Sequence, residues 1–479
     1  MKVDIGVIGL ATMGQNLALN IEGKGQSVAV FNRTAERTKE FVEKRAQGKK
    51  IIRTYSLEEF AGALSRPRKI LLMVAAGPPV DAVLEELFPL LEPGDIVMDG
   101  GNSHYADTER RVAEAEAKGL LYLGLGISGG EHGALFGPSI MAGGHREAYQ
   151  TVEGILGGIA AQGPEGPCCA YFGPGAAGHY VKMVHNGIEY AIMETIAEAY
   201  DLMRRGLSLS PAEMATVFAG WNQGELSGYL FEITAKILRT QDPETGEPCG
   251  IDIPRGEPLV EKVLDTAQQK GTGKWSTQAA LDLGTPTPTI AAAVFARILS
   301  ALKEERVVAS KILPGPDPRL EVNHEEFIGK LFGAVYLAVV AAYAQGFRQL
   351  LDASGERGYG LDLAEVARVW MAGCIIRSSL LIPIRKAFLE RPHLPLLLVA
   401  EPFRSHWRER QGALRQVVAA AHTAGIPVPA MGSALDFLDG YRSGRLPANL
   451  IQAQRDYFGA HTYQRVDRPG TFHTDWEAT

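Results

Sequence analysis

The segment KVDIGVIGLATMGQNLALNI, residues 2–21, constrains the fold of this chain more than any other. It reads as a short apolar strand from Val3 to Ile8, a tight glycine turn, and a helix beginning near Met13. Gly9, Ala11 and Gly14 stand in the three glycine positions of G-x-G-x-x-G, the turn that delivers a dinucleotide pyrophosphate to a helix N-terminus. Gly9 permits the turn and Gly14 permits close helix packing, whereas the Ala11 methyl slightly narrows the pyrophosphate approach. Gly9, Leu10, Ala11, Thr12, Met13 and Gly14 are therefore the candidate cofactor loop. A second strand, SVAVFN at 27–32, completes the unit and bears on which dinucleotide it takes. A carboxylate there would accept hydrogen bonds from a ribose 2′-hydroxyl and repel a 2′-phosphate. This chain has Asn32, Arg33 and Thr34 instead, and a guanidinium beside neutral donors favours the phosphorylated ribose. NADP is the expected cofactor.

Strand and helix signals alternate as far as about residue 176. KILLMVAAG (69–77), DIVMDGGNS (95–103) and LLYLGLGISGG (120–130) are apolar runs ending in glycine or small polar residues. In a doubly wound sheet such strand ends gather at the ligand crevice. Val74, Ala75, Ala76, Asn102, Ser128, Gly129 and Gly130 would then face the cofactor or substrate, with glycine N–H groups forming a nest for a carboxylate. The expected architecture is an α/β dinucleotide-binding (Rossmann) domain over 1–176, a large all-α domain over 177–436, and a C-terminal tail over 437–479. That tail is rich in Gly, Arg and aromatics and lacks a long apolar period.

At 479 residues the chain exceeds one ordinary core. A formal charge of −7 argues against a nucleic-acid partner, so anionic ligands must be held by local clusters of Lys and Arg. The 4 cysteines form no C-x-x-C pair and suggest reduced thiols in a cytoplasmic protein. No metal-ligand spacing is present, so no metal is expected. The first strand starts within three residues of Met1, leaving no room for a signal peptide. LFGAVYLAVVAAYAQGF, 331–347, is uncharged and barely long enough to span a bilayer, but Lys330, Gln345 and Arg348 favour a buried core helix over a membrane segment.

The stretch HYVKMVHNGIEY, 179–190, carries the candidate chemistry. Lys182, His185, Asn186 and Glu189 fall at i, i+3, i+4 and i+7, so a helix lines all four along one face. Lys182 and Glu189 then stand roughly 10 Å apart between Cα atoms, a span that brackets a small acyclic substrate. By itself such a face is also what a solvated helix surface looks like. An internal repeat weighs against that reading. Residues 178–200 align with 325–347, and AEMATVFAG at 212–220 matches AEVARVWMAG from Ala364. The second copy keeps the apolar pattern but has Gly329, Gly333 and Tyr336 where the first has Lys182, Asn186 and Glu189. Packing needs only the apolar residues, so the polar face of the first copy has another use.

Over nearly its whole length the chain resembles the decarboxylating 6-phosphogluconate dehydrogenases, through GLATMGQNL, NRT, DGGNSHYADTERR, GISGGEHGALFGPSIMAGG, KMVHNGIEY, QKGTGKW and LPANLIQAQRDYFGAHTY. The resemblance implies that Lys182 is a general base and Glu189 a general acid. It implies that His185, Asn186, Asn102 and Ser128-Gly129-Gly130 hold the sugar acid, and that Tyr190, Lys270, Arg297, Arg455 and His461 hold its phosphate. Thr272, in KGTGKWS, joins the phosphate set; that loop lacks the spacer of a P-loop and without the resemblance would read as a basic turn. The tail, with Arg455 and His461, is implied to complete the site of the neighbouring subunit in a homodimer. The chain departs from the family at Val74-Ala75-Ala76-Gly77, where Val-Lys-Ala-Gly is common. The missing lysine is expected to alter cofactor affinity rather than abolish activity. Two rivals remain: a β-hydroxyacid dehydrogenase acting without decarboxylation, which leaves Arg297 and Arg455 unexplained, and a non-catalytic NADP sensor, which has no use for Lys182 with Glu189.

Overall fold

The computed structural model describes residues 2–243, 257–269 and 271–477. Eight strands form one sheet: β1 (Ile5–Ile8), β2 (Val28–Phe31), β3 (Ile51–Arg53), β4 (Lys69–Leu72), β5 (Ile96–Asp99), β6 (Leu121–Ser128), β7 (Ser139–Gly144) and β8 (Cys169–Tyr171). Their order is β8-β7-β6-β5-β4-β1-β2-β3, with every neighbouring pair parallel except β6 and β7. Six of them run in the 3-2-1-4-5-6 order of a doubly wound fold, and the order reverses between β1 and β4. Strand sequences such as IGVI and KILL are apolar almost throughout because helices cover both faces. Leu17, Ile21, Val30 and Met98 belong to the core on one face, and Phe60, Leu72, Leu84 and Tyr122 to that on the other. The N-terminal part is thus an α/β dinucleotide-binding domain, and the chain beyond it is helical.

The helices that position the site are α1 (Thr12–Gly23), α2 (Gly130–Phe136), α3 (Ala177–Asp201), α4 (Pro211–Trp221), α5 (Thr272–Leu283), α6 (Pro288–Ser300), α7 (His324–Arg357), α8 (Leu363–Val369) and α9 (Phe403–Thr423). Helix α3 joins the two parts of the molecule. Its first turns lie on β6 and β7, and its later turns lie against α5, α6 and α7. Backbone meets backbone where it crosses the sheet: a Cβ at Gly178 would fall 2.4 Å from the Met141 carbonyl, and one at Gly126 would fall 2.4 Å from Lys182 Cβ. Glycine at both places brings the helix close enough for Lys182 to reach the end of β6.

Residues 331–347 occupy the middle of α7 and are buried among other helices. Gln345, polar within that run, is satisfied: its Oε1 accepts from Thr289 N at 2.9 Å and its Nε2 donates to Thr289 Oγ1 at 2.8 Å. The repeat is visible in the helix order, α3–α4 against α7–α8. The two copies meet at an antiparallel bridge in which Tyr229 N donates to Arg377 O and Ser379 N to Ser227 O.

The chain divides into two compact units, Met1–Ala434 and Leu435–Thr479. The second is not structureless. It contains α10 (Ala448–Gly459) and a short hairpin of β9 (Tyr463–Gln464) with β10 (Thr471–Phe472).

Candidate active site

The glycine turn after β1 has the geometry of an anion cradle. Gly9 has φ 99°, and a Cβ on it would fall 2.5 Å from the Met73 carbonyl; one on Gly14 would fall 1.9 Å from Gly9 O. Only glycine fits either place. Ala11 precedes α1 with no side-chain cap, and Ala11 and Thr12 are exposed, so the first N–H groups of the helix face outward. Met13 is half-buried beside them. Leu10 N donates to Asn32 Oδ1 at 3.0 Å while Asn32 Nδ2 donates to Thr34 O at 3.2 Å. Asn32 therefore braces the turn, leaving Arg33 and Thr34 exposed at the end of β2. Across the crevice, Val74 and Ala76 are half-buried and Ala75 is exposed. Arg111 Nη2 holds this loop by donating to Gly77 O at 3.0 Å.

Helix α3 brings the polar cluster together. Lys182 Nζ donates to Asn186 Oδ1 at 2.6 Å and to Ser128 Oγ at 3.2 Å, and lies 3.2 Å from His185 Nδ1. His185 Nε2 lies 3.3 Å from Ser128 Oγ, and its ring stands edge-on to Trp370. Asn186 Nδ2 donates to Thr272 Oγ1 at 2.8 Å, which draws the start of α5 into the cluster. Glu189 Oε2 is 3.8 Å from His185 Nδ1, and its side chain keeps 21% exposure. Gly129, left-handed at φ 109°, turns the chain from β6 into α2; a Cβ there would fall 2.5 Å from Gly373 O. Gly130, at φ 60°, has open space where its side chain would be.

Asn102 has φ 54° and is locked to β6: its Nδ2 donates to Ile127 O at 3.3 Å and its Oδ1 accepts from Ile127 N at 3.1 Å. Behind it lies a buried network that sequence reasoning missed. Asp99 accepts from Ser103 Oγ at 2.6 Å, Gly101 N at 2.9 Å and Tyr122 OH at 3.3 Å, and Arg111 stands 3.5 Å away. These bonds hold the left-handed turn that presents Asn102. The signal was an acidic residue at a strand's buried end in MDGGNS, paired with an arginine on the next helix.

Electrostatics favour proton transfer. Burial pulls the Lys182 amine below its ordinary 10.5, with Glu189 opposing. Burial raises the Glu189 carboxyl above 4.5, with Lys182 and Arg297 opposing. Burial, then the neighbouring lysine, hold His185 well below 6.5, so its imidazole is neutral. Arg297 lies over the Tyr190 ring at 3.6 Å, and a Cβ on Gly273 would strike that same ring at 2.5 Å. Tyr190, Arg297 and the Thr272 loop thus form one wall. Lys270 lies outside the described residues. Arg455 and His461 belong to the second compact unit, on α10 and just after it.

A doubly wound nucleotide-binding sheet and a helical domain that share the helix bearing an amine and a carboxyl define a class, the two-part nicotinamide-nucleotide oxidoreductases. Family comparison is more specific. Residues 4–173 match the NAD binding domain of 6-phosphogluconate dehydrogenase, and residues 178–476 match the 6-phosphogluconate dehydrogenase C-terminal domain. The chain is 54% identical to the decarboxylating 6-phosphogluconate dehydrogenase of Synechococcus elongatus, over 98% of each chain. It is 52% identical to the NADP(+)-dependent enzyme of Bacillus subtilis, over 99% of each, and 50% identical to that organism's NAD(+)-dependent one, over 98% and 99%. The solved 6-phosphogluconate dehydrogenase of Plasmodium falciparum, described in apo form and in complexes with its cofactor NADP+ and its substrate 6-phosphogluconate, superposes with a TM-score of 0.94. It is 41% identical and covers 99% of this chain and 100% of its own. The chain belongs to the 6-phosphogluconate dehydrogenase family.

Proposed function

We propose that the chain catalyses the NADP-dependent oxidative decarboxylation of 6-phospho-D-gluconate to D-ribulose 5-phosphate, carbon dioxide and NADPH, in the cytoplasm. The observation that carries this reading is the buried Lys182 amine at the end of β6, with the Glu189 carboxyl about two turns further along one helix. The cradle of Gly9 to Gly14 fits a dinucleotide pyrophosphate, since no side chain could stand where its glycines do. Arg33, free of any carboxylate neighbour in its own Asn-Arg-Thr turn, suits a 2′-phosphate. When bound, the nicotinamide supplies the hydride acceptor.

The protein's own groups do the rest. Lys182, its amine shifted toward the neutral form by burial, takes the proton of the C3 hydroxyl as the substrate is oxidised. As an ammonium it then hydrogen-bonds the C3 oxygen and stabilises the enolate formed when carbon dioxide leaves. Glu189, its carboxyl shifted toward the protonated form by burial, delivers its proton to C1 of the enediol. Asn102, Ser128, Gly129, Gly130, His185 and Asn186 orient the sugar acid. Tyr190, Lys270, Thr272 and Arg297 receive its phosphate, with Arg455 and His461 contributed by the partner in a homodimer. Purified protein incubated with 6-phosphogluconate and either NADP or NAD tests the reading. Reduced nicotinamide and carbon dioxide should appear in equal amounts, faster with NADP. Reduction without gas release would overturn decarboxylation, and a preference for NAD would overturn the cofactor assignment.

A further inference from the structure

The second compact unit is built around one carboxylate. Asp456 lies on α10, next to Arg455, and is fully buried. Its Oδ1 accepts from Thr462 N and His473 Nδ1, each at 2.9 Å. Its Oδ2 accepts from Trp476 Nε1 at 2.9 Å and Thr474 N at 3.1 Å. Four donors fill the lone-pair sites of one carboxylate. Burial alone would raise this carboxyl, yet the donors hold it down at about 2.

The bonds converge on the residue after His461. Thr462 sits at φ 61° and Ala460 at φ 48°, two left-handed non-glycine residues flanking the histidine. Such a turn needs its surroundings to fix it. Thr462 is fixed at both ends, its N–H by Asp456 and its carbonyl by Gln452 Nε2 at 2.6 Å. Gln452 in turn accepts from Arg455 Nη1 at 3.0 Å. The His461 ring lies on the helix end, where a Cβ at Gly459 would fall 2.8 Å from Nε2.

We infer that Asp456 is a positioning residue for phosphate recognition: it locks the turn that carries His461, just beyond the helix that bears Arg455, and so presents the two side chains as one ligand pair. The inference rests on the proposed role of Arg455 and His461 in binding the substrate phosphate. It assigns to a buried acidic residue, which itself touches no substrate, the pre-organisation of a basic site.

Asp456→Asn tests it, because no orientation of the amide accepts all four donors. The variant should raise KM for 6-phosphogluconate about tenfold, leaving kcat and the NADP KM within about twofold. Competitive inhibition by gluconate, which lacks the phosphate, should not change. In an Arg455→Ala/His461→Ala background the same substitution should add nothing, since residues acting as one unit are non-additive. Gly459→Ala, which leaves the carboxylate bonds intact but crowds the imidazole, should raise the same KM and serves if Asp456→Asn folds poorly. An unchanged KM in both single variants would overturn the inference, as would a tenfold effect that persists in the Arg455→Ala/His461→Ala background. If the Arg455→Ala/His461→Ala protein itself binds 6-phosphogluconate normally, the phosphate reading fails, and that result is separate from any obtained with Asp456.

Discussion

Helices α3 and α7 carry the same apolar pattern and pack against each other, yet they meet their surroundings in opposite ways. On α7 the face equivalent to the proposed catalytic one is closed by α9. Arg410 and Ala413 lie against Gly333, with Ala413 Cβ 3.3 Å from where a Gly333 side chain would begin. Tyr336, the counterpart of Glu189, lies 4.2 Å beneath the Arg410 guanidinium and meets His406 Nδ1 through its hydroxyl at 2.6 Å. His406 and Arg410 then share Glu225. The Arg410 guanidinium on that side is thus paired with a carboxylate. On α3 the face meets the end of β6 and the Thr272 loop, where the buried Lys182 bonds to the neutral Ser128 and Asn186 and the half-buried Glu189 stands further along. One repeat yields a sealed joint where a helix covers it and the proposed catalytic groups where a crevice does.

The comparison breaks first at Lys182. Replacing it with Met keeps the volume and the apolar stem but removes the amine, and the packing of α3 on β6 should survive. Turnover should fall by about 10³-fold or more, the scale of losing a positioned base, while NADP affinity stays within about twofold. Initial rates and a fluorescence titration with NADPH measure both. Normal turnover would mean that the amine is as structural as the residues of α7.

Glu189→Gln should cost about 10²-fold in kcat and change the shape of the pH profile. The proposed mechanism needs Lys182 without its proton and Glu189 with its own. The acid limb therefore follows the lysine, brought below 10.5, and the alkaline limb follows the carboxyl, raised above 4.5. An amide has no proton to lose, so the alkaline limb should disappear. The acid limb should move to lower pH, because the Glu189 charge no longer helps the ammonium. The limbs belong to the coupled pair, so both must be compared with the parent protein. A variant that keeps its alkaline limb would remove Glu189 from the acid role.

Much of this arrangement was legible in the sequence because it is local. The apolar runs ending in glycine lie on β1, β4, β5 and β6, and the 3.6-residue spacing placed Lys182, His185, Asn186 and Glu189 on one helix face. The unread parts depend on contacts distant in sequence. LGLG in β6 looks like loose backbone until Gly126 is seen beneath Lys182. Asp99, Arg111 and Tyr122 belong to three separate elements, so nothing in their spacing announces a network. AAAVFARILSALKEER, 291–306, holds no glycine or proline to stop a helix, yet α6 ends at Ser300 and another helix starts at Lys303. The tail showed no apolar period for a further reason: a buried carboxylate organises it, and hydrophobic periodicity carries no trace of that.

The smallest expected effect gives the sharpest comparison. Tyr336→Phe changes the register position that holds Glu189 in the other copy, but the only loss is one hydroxyl bonded to His406. A buried hydrogen bond of this kind contributes about 1 kcal/mol, and the ring would keep its place under Arg410. The urea midpoint of the protein should therefore fall modestly, while kcat and KM per folded molecule stay unchanged. Equal substitutions at equal helical positions would then separate cleanly, Glu189→Gln acting on rate and Tyr336→Phe on stability. If instead Tyr336→Phe lowered kcat with no change in the midpoint, the closed face of α7 would be coupled to the chemistry through its contact with α3, and the two copies could not be treated as one reactive and one structural.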